Sequence, residues 1–223
     1  MSNYFDDLDI KRLEGNSISE VDDYTSFKII IVGNSGVGKS SLLKRAVQNK
    51  FTDTYQATIG FEFLLMYYDV NGVKIKLQIW DTCGQEMYRS LIQGFYRNTS
   101  STILLYAIND ERSFKDIPNW VNDIRKNTDN NQPIFLVGSK NDLGEDLRKI
   151  EIEHGKGVQE EYQLSAFSEC SAKTGYKVDD IFKNVVGLLY KKNISGKKQL
   201  KNEPFGNKLE MDGGLIKKKK KCC

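Results

Sequence analysis

The segment Gly33-Asn34-Ser35-Gly36-Val37-Gly38-Lys39-Ser40 constrains this chain more than any other. Two glycines with four residues between them, Gly33 and Gly38, followed by Lys-Ser, form the phosphate-loop pattern, whose mechanism needs a strand before it and a helix after it. Both are readable. Phe27-Lys28-Ile29-Ile30-Ile31-Val32 is a short β-branched run of the buried-strand kind. Beyond the glycines, residues 39–50 hold no breaker, and Leu42, Leu43, Ala46 and Val47 form one helical stripe. The glycines let backbone N–H groups close around phosphate oxygens, and the helix N-terminus adds positive potential. In such a loop Lys39 reaches the β- and γ-phosphates and the Ser40 hydroxyl ligates Mg²⁺. The loop alone chooses neither the base nor between kinase and switch.

Five more strands follow from the pattern. Residues 61–70 and 73–80 flank Asn71-Gly72, the preferred two-residue hairpin turn, so those two run antiparallel. Residues 102–108, 133–138 and 165–170 are the others, separated and followed by helical stretches at 113–127, 151–162 and 177–192. Alternating strands and helices predict an α/β fold: a mostly parallel six-stranded sheet with one antiparallel strand and helices on both faces.

Charge divides the chain into three. Residues 1–26 hold seven acidic and two basic side chains, a net of −5, and read as an acidic flexible extension. Residues 191–223 hold eleven lysines and three acids, a net of +8, and read as a disordered basic tail. With 33 basic and 30 acidic residues in all, the domain at 27–190 balances at twenty of each. The positive excess is thus a tail property, which argues against a nucleic-acid partner and for an anionic surface. Cysteines at 83, 170, 222 and 223 make no disulfide framework, which argues for a reducing compartment. No stretch approaches the roughly 18 apolar residues of a membrane span, and the first residues lack a secretory signal.

A second constellation narrows the chemistry. Lys76-Leu77-Gln78-Ile79-Trp80-Asp81-Thr82-Cys83-Gly84-Gln85 ends a strand on an acid, then offers a glycine and a glutamine. Asp81 fits the outer-shell magnesium acid of phosphate-loop enzymes. Gly84 can donate its N–H to a γ-phosphate, Gln85 can orient a water for in-line attack, and Thr58 offers a hydroxyl in a helix–strand loop. With Ser139-Lys140-Asn141-Asp142 and Cys170-Ser171-Ala172-Lys173, residues 27–190 resemble a small GTPase of the Ras superfamily.

Ile59-Gly60-Phe61-Glu62-Phe63, Met87-Tyr88-Arg89-Ser90-Leu91 and Phe95-Tyr96-Arg97-Asn98 are similar to the switch signatures of its Rab branch. The resemblance implies the phosphate-loop NTPase fold, a GTP/GDP switch and a Mg²⁺ ion held by Ser40, Thr58 and, through water, Asp81. It implies that Gly33, Ser35, Gly36, Val37, Gly38, Lys39, Ser40 and Ser41 line the phosphates, with Tyr55 covering them and Gly84 and Gln85 in the second switch. Phe51 and Lys140 would flank the guanine. Asp142 would accept from its N1–H and amine, and the Ala172 N–H, set between Ser171 and Lys173, would donate to its O6. Ile59, Gly60, Phe61 and the aromatic trio Phe63, Trp80 and Phe95 would receive effectors. An exchange factor, an activating protein that supplies an arginine, and a prenyl-binding dissociation inhibitor are the further partners implied, with the chain itself a monomer.

The guanine motif departs from the family's Asn-Lys-x-Asp by carrying Ser139. The family's Asn ties the base loop to the phosphate loop, and a shorter side chain with one donor is expected to lose at least one such bond, roughly 0.5–1.5 kcal/mol. An alternative follows, a non-cycling or fast-exchanging interaction module with weakened guanine affinity. Cys83 stands where the family usually has Ala, and reads as a slightly larger neighbour of the switch. Residues 217–221 are five lysines, and Cys222-Cys223 resembles the double-cysteine ending of Rabs, which implies two geranylgeranyl groups. Two lipid chains anchor stably, and lysines add attraction to an anionic leaflet. The expected place is the cytoplasmic face of an intracellular or plasma membrane with a cytosolic pool, the domain held off by a tail of about 30 Å typical reach.

Overall fold

The computed structural model describes residues 5, 7–18, 23–53, 61–82, 94–129 and 131–201. The described residues hold seven strands: β1 (Ile10–Leu13), β2 (Thr25–Val32), β3 (Phe61–Val70), β4 (Val73–Thr82), β5 (Ser101–Ala107), β6 (Ile134–Ser139) and β7 (Ala166–Glu169). Among the described residues, helices that lie wholly within them include α1 (Lys39–Gln48), α2 (Glu111–Lys115), α3 (Ile117–Asn127), α4 (Ile152–Glu161) and α5 (Val178–Lys201). The strands form one sheet in the order β1-β3-β4-β2-β5-β6-β7. From β4 to β7 all neighbours are parallel, and β3 alone runs against them, paired to both β1 and β4.

Alternation along β2 explains the layering. Ile29 and Ile31 face one core with Leu42, Leu43 and Ala46 of α1 and Ile181, Phe182, Val185 and Val186 of α5. Ile30 and Val32 face a second core with Trp120, Val121 and Ile124 of α3. Successive side chains point to opposite faces, so a strand covered on both sides reads as an unbroken apolar run. Asn71 and Gly72 both take positive φ (50° and 83°), which gives the hairpin turn whose twist suits the flanking strands.

Three expectations are corrected. The sheet has seven strands, because part of the segment read as a flexible acidic extension pairs with the outer edge of β3, Ile10 opposite Val70 and Leu13 opposite Tyr67. Leu8 and Ile10 pack on the core, and this burial outweighs the polar composition around them. The single helix expected at 113–127 divides at Asp116. Asp110 caps α2 by accepting from the Arg112 and Ser113 amides, and Pro118 starts α3 in its first turn, where a missing N–H costs nothing. Finally, α5 continues to Lys201 and so takes up the start of the supposed tail. A helix already nucleated on a core extends cheaply through Lys, Gln and Leu.

Candidate nucleotide site

The site lies at the carboxyl ends of the parallel strands, where open α/β sheets bind ligands. The phosphate loop leaves β2 at Gly33, whose φ is 137° and whose missing Cβ would lie 2.2 Å from the Leu105 carbonyl oxygen of β5. Only glycine lets the two backbones approach so closely. Gly36 and Gly38 also take positive φ (77° and 95°), and Gly38 delivers the chain into α1. Lys39 opens that helix with a buried side chain. Its Nζ donates to the carbonyls of Gly33 (2.9 Å) and Asn34 (2.8 Å), so the ammonium is held over the centre of the loop. Val37 is buried, Ser35 is exposed at the loop's crest, and Ser41 is half-buried in the first turn.

Register brings the acid to the loop. Asp81 on β4 stands opposite Ile31 of β2, and its Oδ2 accepts the Ser40 hydroxyl. Its Oδ1 is buried without a hydrogen-bond partner among the described residues. Burial raises the Asp81 pKa to about 6, against the opposing pull of the Ser40 hydrogen bond and the Lys39 charge. An orphaned buried carboxylate oxygen beside a helix-start hydroxyl suits a hard divalent cation. No group of three His, Cys, Asp or Glu among the described residues could hold a metal. The oxygens of Asp81 and Ser40 are a donor set that fits Mg²⁺, which is usually held by one or two protein oxygens plus substrate phosphates and water.

The base side is built on the ends of β6 and β7. Ser139, buried at the last position of β6, donates its hydroxyl toward the carbonyls of Val37 (2.5 Å) and Tyr106 (2.9 Å). Ser139, with the single donor expected of it, still ties the base loop to the phosphate loop. The loop approaches β6 closely enough for a hydroxyl to span the gap, although its single proton serves one carbonyl at a time. Lys140 takes a left-handed conformation (φ 64°) that turns the chain out of the sheet. Asp142 Oδ1 accepts from the Ser171 hydroxyl at 2.6 Å, while its other oxygen makes no hydrogen bond among the described residues. The Ser171 hydroxyl also accepts from the Thr174 amide. Phe51 is half-buried just past α1, and the exposed Lys173 lies 3.7 Å from Asp53 beside it.

Several supporting contacts were not foreseen. Asn141 donates its amide to Glu169, which also holds Arg148 in a buried fork at 2.7 and 2.8 Å. Asn34 of the phosphate loop donates to Asp116 (2.6 Å) and accepts from the Trp120 indole N–H (2.7 Å). Arg45 of α1 donates to the carbonyls of Ala172 and Lys173. Each joins residues far apart in sequence, and no local spacing marks them.

Of the aromatic trio, the Trp80 ring lies 5.0 Å from the exposed Phe63 and 5.6 Å from Phe95, with Lys28 Nζ 5.3 Å from the indole centroid. Tyr55, Thr58, Ile59, Gly60, Cys83, Gly84, Gln85, residues 217–221, Cys222 and Cys223 lie outside the described residues, as does the side chain of Phe61.

Comparison with known proteins agrees with this geometry. The Ras family model matches residues 28–191. The GTP-binding protein yptV2 of Volvox carteri is 42% identical over 155 residues, covering 70% of this chain and 71% of its own. The Ras-related protein Rab-13 of Bos taurus is 39% identical over 176 residues, covering 79% of this chain and 85% of its own. The chain belongs to the Ras family and is a Rab-type small GTPase.

Proposed function

We propose that this GTPase is a Mg²⁺-dependent switch that cycles between GTP and GDP, anchored to membranes by prenyl groups and recruiting effectors in vesicle traffic. The observation that carries the reading is the joining of two half-sites: Lys39, Ser40 and Asp81 on one side, Asp142, Ser171 and Ala172 on the other, linked where Ser139 reaches Val37. The backbone of residues 33–41 surrounds the phosphates and Lys39 offsets their charge. Asp142, held by Ser171, accepts from the guanine N1–H and amine, a pair of donors that adenine does not present. Phe51 and Lys140 flank the ring. Ser40, Thr58 and Asp81 would hold Mg²⁺, which when bound would supply neutralisation of phosphate charge. Gln85 orients the water that attacks the γ-phosphorus while the bond to the β–γ bridging oxygen breaks. An activating protein supplies an arginine to speed this step.

Phe63, Trp80 and Phe95 form one aromatic surface and serve as the effector face, together with Ile59, Gly60 and Phe61. Cys222 and Cys223 carry the lipids and residues 217–221 face the anionic leaflet, which puts the protein on the cytoplasmic face. No helix among the described residues is long and apolar enough to cross a membrane. The alternative of a non-cycling module rests on the altered base motif at Ser139 and on Cys83, and the bond from Ser139 to Val37 speaks against the first of these.

Single-turnover hydrolysis tests the switch: the purified protein should consume GTP slowly, in a Mg²⁺-dependent way, and leave ATP untouched. Hydrolysis of ATP at the same rate, or of GTP unaltered by Gln85→Leu, would overturn it. Removal of Cys222 and Cys223 should shift the protein from the membrane fraction to the cytosol without altering nucleotide affinity.

A further inference from the structure

We propose that Arg45 is a positioning residue for the base: its guanidinium holds the loop after β7 so that the Ala172 N–H is presented to the purine 6-oxygen. The inference rests on the assignment of Ala172 to that oxygen.

Arg45 lies in the last turn of α1, the helix that begins with Lys39 and Ser40. Its Nε donates to the Ala172 carbonyl at 2.6 Å and its Nη2 to the Lys173 carbonyl at 2.7 Å. Its Nη1 turns back to the carbonyl and side-chain oxygen of Asn49, at 3.1 and 3.0 Å. A planar fork bonded to two successive carbonyls fixes the two peptide planes that follow Ala172, and charge-assisted bonds of this kind are about twice as strong as neutral ones. On the other side Ser171 is held three ways. Its N–H donates to the Tyr176 carbonyl, its carbonyl accepts from Gly175 N–H, and its hydroxyl donates to Asp142. Between these two anchors the Ala172 N–H makes no hydrogen bond among the described residues.

A donor kept in place by its neighbours, with no partner of its own, is arranged for a ligand acceptor. Because the fork comes from α1, one rigid helix carries the phosphate groups at its start and fixes the base donor near its end. The spacing between phosphate and base recognition is thereby set by that helix. The chemistry recognised is a purine nucleotide with an oxygen at C6.

The test compares release of GDP with release of 2-aminopurine riboside diphosphate, which keeps the amine and lacks both the 6-oxygen and the N1–H, from full-length protein with Mg²⁺. The loss at N1 is common to parent and variant, so the Arg45-dependent difference reads the 6-oxygen. Arg45→Ala should speed GDP release roughly tenfold and release of the analogue less than about threefold, since the analogue never used the Ala172 donor. Single-turnover hydrolysis of already bound GTP should stay within about twofold of the parent. Arg45→Lys, a point charge that cannot bridge both carbonyls, should fall between parent and Ala for GDP release.

Equal acceleration of GDP and the analogue in Arg45→Ala would overturn the proposal in favour of a purely structural role. So would an Arg45→Lys variant that matches the parent. A parent protein that releases both nucleotides at one rate would remove Ala172 from base recognition and the proposal with it, while the hydrolysis results would leave the GTPase assignment standing.

Discussion

The Ser139 hydroxyl reaches the Val37 carbonyl at 2.5 Å, so the strand that ends at the base loop is tied to the phosphate loop. The same hydroxyl lies 2.9 Å from the Tyr106 carbonyl of β5. One hydroxyl proton facing two acceptors serves one of them at a time.

An amide in its place carries two N–H donors, enough for both carbonyls. Ser139→Asn is therefore expected to slow GDP and GTP release alike, by up to about tenfold, equivalent to one neutral hydrogen bond of roughly 0.5–1.5 kcal/mol. Ser139→Ala should speed release of both. A Cβ built at Gly38 would lie 4.0 Å from the hydroxyl, whereas the Val37 carbonyl is already at 2.5 Å. Off-rates of fluorescent GDP check this. Unchanged or faster release from Ser139→Asn would mean that overpacking outweighs the added donor.

Much of this site could be read in advance, for local reasons. The phosphate loop, its flanking strand and helix, and the Asn71-Gly72 hairpin are written in neighbouring residues, because glycine conformations and apolar periodicity act over a few positions. Asp81 was legible as an acid at a strand end. That Ser139 keeps a bond to the phosphate loop is not legible in the sequence, because it depends on the distance between β6 and the loop. Arg45 and Asn34 escaped because their partners lie more than 80 residues away in sequence. The strand β1 escaped because four edge residues among acids show no strong alternation, and their stability comes from pairing with β3.

Asp81 makes stability depend on pH in a definite direction. Its folded-state pKa of about 6 lies above the ordinary carboxylate value near 3.9, because burial disfavours the charge. Between those values the native state holds a proton that the unfolded chain has released, so stability falls as pH rises from about 4 to 6 and then levels. The full cost is on the order of 3 kcal/mol. In nucleotide-free protein with chelator, Asp81→Asn should be more stable than the parent at pH 7, and the gap should close toward pH 4. Adding Mg²⁺ and GDP should reverse the ranking, since the cation favours the carboxylate. Urea unfolding of both proteins across this range measures it, and a gap independent of pH would exclude Asp81 as its source.

Asn34 sits between an acceptor and a donor, its amide on Asp116 and its oxygen under the Trp120 indole N–H. Asn34→Asp keeps the acceptor for Trp120 but sets two carboxylates against each other. That change should cost about 1–3 kcal/mol at neutral pH. Asp116→Asn added to it exchanges amide and carboxylate and should restore most of the loss. A double-mutant cycle by thermal unfolding checks the coupling. Additive losses would mean that the two side chains act independently.

The last prediction concerns the amino-terminal segment. The Phe5 ring lies against Gly187 on α5, where an added Cβ would come within 2.7 Å of the ring. Lys191, one turn further along the helix, stands 5.0 Å from the centroid of that ring and 2.8 Å from Asp7 Oδ1. Glycine in a helix interior costs roughly 1 kcal/mol relative to alanine. At this position the loss is offset by the slot it opens for an aromatic ring, which brings Leu8 and β1 onto the edge of the sheet. Gly187→Ala alone should therefore be neutral or destabilising, because the ring must move. In a Phe5→Ala background the same substitution meets no ring, and helix propensity should make it stabilising by roughly 0.5–1 kcal/mol. Phe5→Ala by itself should cost about 1–2 kcal/mol, less than a fully buried phenylalanine because the ring is half-buried. Hydrogen exchange at the β3 amides facing β1 should quicken in parallel. A Gly187→Ala effect of the same sign and size in both backgrounds would show that Phe5 and α5 are not coupled in solution.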